Sequence, residues 1–234
     1  MLNARGAQRA AETRAHEITM VVPVTDDFAG RNQGRTTAEL MDQTKEVVRT
    51  ARQAGKGVSV ILAVAFGCPF SGDVAAAHVH RIADELLDLG LDELALADTV
   101  GVGVPAQVER LAAPLLGDAR LPVLRFHFHN TRNTGYANAW AATQLALAEG
   151  QRLALDASIG GFGGCPFAPA ATGNIATEDL AYLLRRAGVP TRGPDDLDQR
   201  GAAAVAGWLG DQLGSPVQAL LGKAGDVPGQ ADVA

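Results

Sequence analysis

Hydrophobic and polar residues are arranged along this chain in long blocks. Five apolar, β-branched runs stand about 30 to 40 residues apart, and each is followed by a polar or glycine-rich turn; the runs begin at Glu17, Gly57, Asp92, Leu121 and Arg152. This spacing is typical of repeating βα units. Nearly continuous apolar runs are typical of parallel strands that are buried on both faces. The pattern therefore predicts an α/β fold in which helices wrap a parallel sheet.

Amphipathic segments with helical periodicity lie between these runs. Each ends at a glycine before the next strand, as helices commonly do; they cover residues 36–55, 74–90, 133–150 and 175–188. The first has a plausible cap at Thr36 or Thr37. Further helical patterns are predicted before the first strand, at residues 5–17, and near the end of the chain, at residues 199–213.

The number of strands places a limit on the architecture. A (β/α) barrel of the TIM type has eight strands and about 250 residues, so five strands are too few. Because residues 5–17 form a helical pattern with no strand before it, we expect the chain to begin part-way through the repeat. The predicted fold is an α/β TIM-barrel type, N-terminally truncated, with about five complete βα units plus a C-terminal helix. We assign residues 1–220 to this single partial barrel and residues 221–234 to a disordered tail.

Composition and charge exclude several classes of function. The formal net charge is −6, which argues against nucleic acid as the main partner. The apolar runs are far shorter than the roughly 20 residues of a membrane span, and the N-terminus lacks the apolar core of a signal peptide. Two cysteines, Cys68 and Cys165, cannot form a disulfide framework. We therefore expect a cytoplasmic protein without a membrane partner.

The fourth run ends in an unusual pair of histidines. In the stretch Phe-His-Phe-His-Asn, His127 and His129 occupy alternate positions of one strand. Side chains alternate sides along a strand, so both imidazoles lie on one face, and Phe126 and Phe128 lie on the other. Two neutral imidazoles on one face can form half of a metal site. The alternative is a pair of core histidines, each satisfied by a backbone carbonyl.

Other reactive side chains also stand where strands end, which is where parallel barrels place their active sites. The fifth run leads into a loop with five glycines between residues 160 and 173, which carries Cys165, with Asn174 nine residues further on. Cys165 could be a thiol on a mobile loop or a small buried hydrophobe. Asn174 could cap a helix or ligate a metal through its carbonyl oxygen. Asp98, at the end of the third run, could be reactive or simply accept a hydrogen bond.

Four stretches of the chain resemble the hydroxymethylglutaryl-CoA lyase family, a group of metal-dependent TIM-barrel aldolase-like lyases and synthases. They are "FGCPFSG", "LADTVGVGVP", "HFHN" and above all "GGFGGCPFAPAATGNIATEDLAYLL", and the similarity runs from about Leu2 to about Gly188. The glycine-rich cysteine loop is the family's own lyase signature. The His-x-His strand is shared by the wider group.

The resemblance implies a function and a set of site residues. It implies a divalent cation, Mg²⁺ or Mn²⁺, held by His127, His129 and Asn174, with Cys165 as a catalytic acid/base and Asp98 as a nearby polar participant. It further implies retro-Claisen cleavage of a 3-hydroxyacyl-CoA to acetyl-CoA and acetoacetate, a place in leucine degradation, and an acyl-CoA-binding homo-oligomer, a dimer by family habit.

The chain departs from the family pattern at its front and at one position near the histidines. Family members begin with a strand that bears an Arg-Asp pair, in which Asp is a metal ligand and Arg stabilises the enolate, and a second strand bears a glutamate. Nothing in this sequence aligns with those strands, although Asp26 or Arg31 could take their place. Asn130 stands where the family often has aspartate.

Three interpretations follow. The first is a lyase of the hydroxymethylglutaryl-CoA type or a close relative that uses another 3-hydroxy acid. The second is a related aldolase, Claisen synthase or carboxyltransferase, although no lysine near the strand ends supports biotin-type carboxyl transfer. The third is a non-catalytic fragment or partner subunit that lacks the Arg-Asp strand.

Overall fold

The computed structural model describes residues 3–164, 173–191 and 198–225. These residues form two compact units. The sheet unit comprises residues 3–156, and the C-terminal unit comprises the described residues from 157 onward.

The sheet unit contains one parallel sheet of five strands in sequence order. The strands are β1 (Glu17–Pro23), β2 (Gly57–Ala63), β3 (Glu93–Asp98), β4 (Val123–Phe128) and β5 (Arg152–Asp156). Every neighbouring pair is parallel, and His127 lies between Ala97 of β3 and Asp156 of β5 in the register. All five predicted strands are thus confirmed, and because parallel neighbours require crossovers, each connection contains a helix.

The helices of the sheet unit agree with the sequence pattern in most places. They are α1 (Ala4–Ala11), α2 (Asp26–Gln33), α3 (Thr37–Gln53), α4 (Ala76–Leu87), α5 (Pro105–Ala112) and α6 (Gly135–Thr143). The cap of α3 is Thr36, whose hydroxyl accepts from the backbone N–H of Glu39 while the Glu39 carboxylate accepts from the Thr36 N–H. Helix α6 ends at Thr143, well before the predicted glycine at position 150.

Two of these helices, α2 and α5, are not among the segments predicted from periodicity. Each has only eight residues, and α2 has the polar sequence Asp-Asp-Phe-Ala-Gly-Arg-Asn-Gln. Its signals are local: Thr25 accepts a hydrogen bond from the Phe28 N–H, and two aspartates occupy the first turn. A segment this short presents too few apolar positions for its period to be recognised.

The two faces of the sheet differ in burial, which corrects part of the prediction. Over β1 to β4 one face is buried and apolar apart from Asp98 at the end of β3, with Met20, Val60, Leu94 and Phe126 among its members. The other face is mixed, with apolar residues such as Val21 and Ile61 among polar ones. We call it the polar face, and its polar residues include Glu17, Thr19, Ser59, Glu93, Arg125, His127 and Asp156. Strands β1 and β4 therefore alternate between buried and half-buried residues, and β5 is half-buried or exposed throughout. Burial on both faces holds for most of β2 and β3.

The C-terminal unit is helical in its described parts. It contains a 3₁₀ turn (Ile159–Gly161), α7 (Thr177–Arg186), α8 (Gln199–Leu213) and α9 (Leu221–Ala224). The buried Glu178 carboxylate accepts from the Gly160 N–H, which ties α7 to the 3₁₀ turn. Helix α9 occupies the first four residues of the predicted tail, and residues 226–234 lie outside the described residues. The single-domain assignment of residues 1–220 stays a prediction.

None of the helices that the structure describes is both long and apolar enough to cross a membrane.

Candidate active site

The two histidines lie together at the end of β4. Their ring centroids are 5.2 Å apart, and the ring planes are inclined by 66°. On the opposite side of the strand, Phe126 and Phe128 stack with centroids 5.5 Å apart. Strand alternation therefore separates an apolar anchor, which fixes the strand in the core, from a pair of imidazoles on the polar face.

Burial makes the two histidines chemically different. His129 is only 4% exposed, whereas the side chain of His127 is 29% exposed. Burial, and then the proximity of His127, lowers the pKa of His129 to about 4. His129 is thus neutral at physiological pH. Its Nδ1 atom is buried and has no hydrogen-bond partner among the described residues, so no backbone carbonyl in that part of the chain accepts from this nitrogen.

A carboxylate that the sequence interpretation did not single out lies beside His127. Asp156, at the end of β5, places Oδ2 3.3 Å from His127 Nδ1. The guanidinium of Arg125 lies 3.6 Å from the same carboxylate and also pairs with Glu93. The sequence held one signal for Arg125: the period of two along β4 puts it on the face that carries His127. The role of Asp156 depends on the register between β4 and β5, which no local pattern specifies.

Asp98 is fully buried at the end of β3 and organises the loop that follows. Its two carboxylate oxygens accept hydrogen bonds from the backbone N–H groups of Val102 and Gly103, each at 2.9 Å. Burial raises the pKa of Asp98, although the loop amides act in the opposite direction. A Cβ on Gly103 would stand 2.7 Å from the Phe66 ring, so only glycine fits there. The contacts of Asp98 are those of a loop-positioning residue, and its catalytic participation stays a prediction.

Asn174 belongs to the C-terminal unit and is anchored through its amide nitrogen. Nδ2 donates to the Phe162 carbonyl at 3.0 Å, and Oδ1 is buried without a partner among the described residues. The cap position of α7 is Ala176, so Asn174 does not cap that helix. A Cβ on Gly163 would lie 2.6 Å from Asn174 Nδ2, and the φ of this glycine is +115°. The geometry therefore leaves the carbonyl oxygen of Asn174 free for another group.

Cys165, the predicted acid/base, lies outside the described residues. The structure brings His127 and His129 together, and it places Asn174 in the other unit. Among the described residues no group of three or more His, Cys, Asp and Glu side chains could hold a metal ion. Imidazole nitrogens and amide oxygens are suitable donors to a divalent cation, and within its own unit each of His129 Nδ1 and Asn174 Oδ1 is buried without a partner among the described residues.

The polar residues after β1 have structural partners instead. Thr25 caps α2 and donates to Cys68 Sγ at 3.2 Å, and Asp26 accepts from the Thr37 N–H at 2.7 Å, which anchors the start of α3. Arg31 lies over the Phe70 ring, with 4.2 Å between its guanidinium carbon and the centroid. The pKa of the Cys68 thiol is lowered overall. Burial raises this pKa, but hydrogen bonds with Thr25 and with the backbone of Phe70 and Ser71 outweigh the effect of burial.

Sequence comparisons with known proteins match most of this chain to one family of lyases. The HMGL-like family model matches residues 1–198. The (R)-citramalyl-CoA lyase of Chloroflexus aurantiacus is 42% identical over 225 residues, which cover 96% of this chain and 68% of that enzyme. The hydroxymethylglutaryl-CoA lyase of Bacillus subtilis is 34% identical over 217 residues, which cover 92% of this chain and 69% of that enzyme.

Solved structures agree as well. An HMG-CoA lyase from Acinetobacter baumannii, in complex with coenzyme A and 3-methylmalate, matches with a TM-score of 0.85 at 33% identity, over 99% of this chain and 73% of that one. The TIM-barrel-type α/β fold predicted from the sequence is confirmed by this match, and so is the family resemblance. The chain belongs to the HMGL-like family of carbon–carbon lyases.

Proposed function

We propose that this protein is a metal-dependent lyase that cleaves a 3-hydroxyacyl-CoA between C2 and C3. Membership of the HMGL-like family supports a carbon–carbon lyase. The single structural observation that carries the proposal is the pair His127 and His129, of which His129 is neutral and has a buried Nδ1 without a partner among the described residues. Such an atom is costly in a fold that does not use it.

The reaction is a retro-Claisen cleavage. A base removes the proton of the C3 hydroxyl, the C2–C3 bond breaks as the C3 carbonyl forms, and the bonding electron pair stays on C2 as the acetyl-CoA enolate. Protonation of C2 then completes acetyl-CoA. We assign this last proton to the Cys165 thiol, because the resemblance of its glycine-rich sequence to the lyase signature of the family implies that role and a thiol can act as a general acid.

His127, His129 and Asn174 are the residues that would hold a divalent cation, which we propose to be Mg²⁺ or Mn²⁺. Members of the family are generally dependent on a divalent metal. When bound, the cation supplies Lewis acidity that makes a hydroxyl easier to deprotonate. The Phe162 carbonyl holds the amide of Asn174 so that its oxygen is available, and Asp98 holds residues 99–103 in one conformation.

Two substrates merit a direct comparison. Hydroxymethylglutaryl-CoA, suggested by the sequence motifs, would yield acetyl-CoA and acetoacetate, the reaction of leucine degradation. Citramalyl-CoA has one methylene fewer in its acid arm and would yield acetyl-CoA and pyruvate. The 42% identity to a citramalyl-CoA lyase favours this second candidate. Since a single methylene is worth only about 1–3 kcal/mol in discrimination, one site of this type could favour either substrate by roughly 10- to 200-fold.

The test is to incubate the full chain with each acyl-CoA and Mg²⁺ or Mn²⁺, and to measure acetyl-CoA, acetoacetate and pyruvate separately. We expect His127→Ala and Cys165→Ser to lower kcat by at least about 100-fold. The matched controls are His16→Ala, which removes an exposed imidazole, and Cys68→Ser, which replaces the thiol that contacts Thr25. Both controls should retain activity.

A folded chain that cleaves neither substrate would contradict the proposal and favour a non-catalytic fragment. A related synthase would instead form the carbon–carbon bond from acetyl-CoA and a keto acid. Acyl-CoA binding is supported by the coenzyme A complex of the Acinetobacter relative. A homodimer and a cytoplasmic location stay predictions, and sedimentation of the purified chain tests the first.

A further inference from the structure

The polar face of the sheet carries a connected row of charged side chains that ends at His127. Glu93 of β3, Arg125 of β4 and Asp156 of β5 are in contact, and Asp156 reaches His127. All four side chains are only partly exposed, between 17% and 29%. None of its three charged side chains takes part in the proposed reaction. Their contact with His127 therefore points to a different role.

Strand register explains why Asp156 meets one particular ring nitrogen. His127 and Asp156 are directly opposite in the parallel β4–β5 pair, so their side chains leave the same face of the sheet. Nδ1 of His127 is the ring atom that lies 3.3 Å from the carboxylate. A carboxylate accepts hydrogen bonds, so it favours a proton on Nδ1 and leaves the lone pair on Nε2.

Arg125 restrains the carboxylate in turn. Its Nη1 lies 3.6 Å from Asp156 Oδ1, which is the oxygen that does not face the histidine. The other end of the guanidinium pairs with Glu93. One planar cation on β4 thus bridges carboxylates from the two strands that flank β4, and rotation of Asp156 away from His127 would break that bridge.

His129 provides the contrast. Its Nδ1 has no partner in the described part of the chain, and the residue is only 4% exposed. One imidazole is therefore oriented by packing, and the other, half-exposed imidazole has a carboxylate beside it. A half-exposed ring without such a partner would rotate and exchange tautomers freely.

We propose that Asp156 and Arg125 are positioning residues for His127. Asp156 holds the imidazole as the Nδ1–H tautomer with Nε2 directed away from β5, and Arg125 holds Asp156. The inference rests on the proposed function in one respect, namely that Nε2 of His127 binds a divalent cation. Neither residue is assigned contact with the cation or the substrate.

The first experiment needs no metal. A long-range ¹H–¹⁵N correlation spectrum of the metal-free full chain distinguishes the two neutral tautomers of each histidine, and His127→Gln assigns the His127 signals. We expect wild-type His127 to be the Nδ1–H tautomer and Asp156→Asn to lose that preference. An Nε2–H tautomer in the wild type would overturn the proposal, whether or not the variant folds.

The second experiment measures Mn²⁺ affinity from the electron paramagnetic resonance signal of the free ion. Asp156→Asn should weaken binding by about 10- to 100-fold, as loss of such outer carboxylates does elsewhere, and Arg125→Lys should give a smaller loss in the same direction. The matched control is Glu17→Gln, a carboxylate on the same face that contacts Ser59 and Thr19 and no histidine. Equal loss in the control, or unchanged affinity in folded Asp156→Asn, would overturn the positioning role.

The two proposals can fail separately. A chain with the expected tautomer that neither binds Mn²⁺ nor cleaves either acyl-CoA contradicts the proposed function while the orientation of His127 stands. A chain that cleaves substrate with His127 as the Nε2–H tautomer contradicts the positioning role alone.

Discussion

The ends of β1 and β4 are both rich in polar side chains, but these side chains differ in their hydrogen-bond partners. After β1, Thr25 caps α2 and Asp26 accepts from the first N–H of α3. At the end of β4, His129 is buried with an orphaned Nδ1, and His127 faces Asp156. The first group stabilises local structure, whereas the second retains donor atoms that the described residues do not satisfy. The position of polar residues at a strand end is therefore not enough to mark a site, and the hydrogen-bond partners of each residue have to be considered as well.

The largest effect should come from His129. His129→Leu should weaken Mn²⁺ binding by at least about 100-fold, because a neutral donor nitrogen is removed. The chain should unfold at the same or a higher urea concentration, since an apolar group of similar size replaces a buried polar atom that has no partner among the described residues. Urea unfolding and a Mn²⁺ titration on the same preparation check both effects. A markedly less stable variant would mean that His129 has a structural partner after all.

The second largest effect should come from a substitution of Asp98, which should lower the stability of the fold. Asp98→Asn places an amide NH₂ against the loop N–H groups of Val102 or Gly103, and we expect a loss of about 1–3 kcal/mol in the free energy of unfolding. Urea denaturation measures it. The conservative change Asp42→Asn, at an exposed ion pair with Lys45, serves as the control and should cost less.

The raised pKa of Asp98 also predicts a pH dependence. Because the folded-state pKa lies above the unfolded value of about 3.9, the folded chain binds the proton more tightly. The contribution of Asp98 to stability is therefore fully present below that value and is lost as the pH rises through the folded pKa. The difference in unfolding free energy between wild type and Asp98→Asn, followed upward from about pH 4, should shrink. A difference that grows with pH would mean that the pKa of Asp98 is lowered on folding rather than raised.

The smallest effect is expected at the end of β1. Asp26→Ala removes the acceptor of the Thr37 N–H and should cost about 1 kcal/mol of stability, as loss of other helix N-terminal acceptors does. Mn²⁺ affinity and turnover should not change. If they fall by about tenfold or more, Asp26 is a functional residue, and the contrast between the two strand ends disappears.

Local sequence was sufficient for much of the fold. The five strands, the cap at Thr36 and helix α8 were all predicted from apolar runs, periodicity and capping residues. These features depend on interactions within a few residues. The prediction was less successful for α2 and for the length of α6, where the apolar pattern is too short or continues beyond the helix. The site was predicted as a set of residues, of which Cys165 lies outside the described part of the chain.

What the sequence determined by itself was the alternation along β4, because a period of two necessarily puts His127 and His129 on the face opposite Phe126 and Phe128. Only the tertiary structure decided which nitrogen of His127 meets Asp156, that Arg125 spans two carboxylates, and that Asp98 is surrounded by loop amides. The physical reason is that these contacts join residues about 30 or more positions apart, or depend on how a loop folds back. Strand register, burial and competition for hydrogen-bond partners set them.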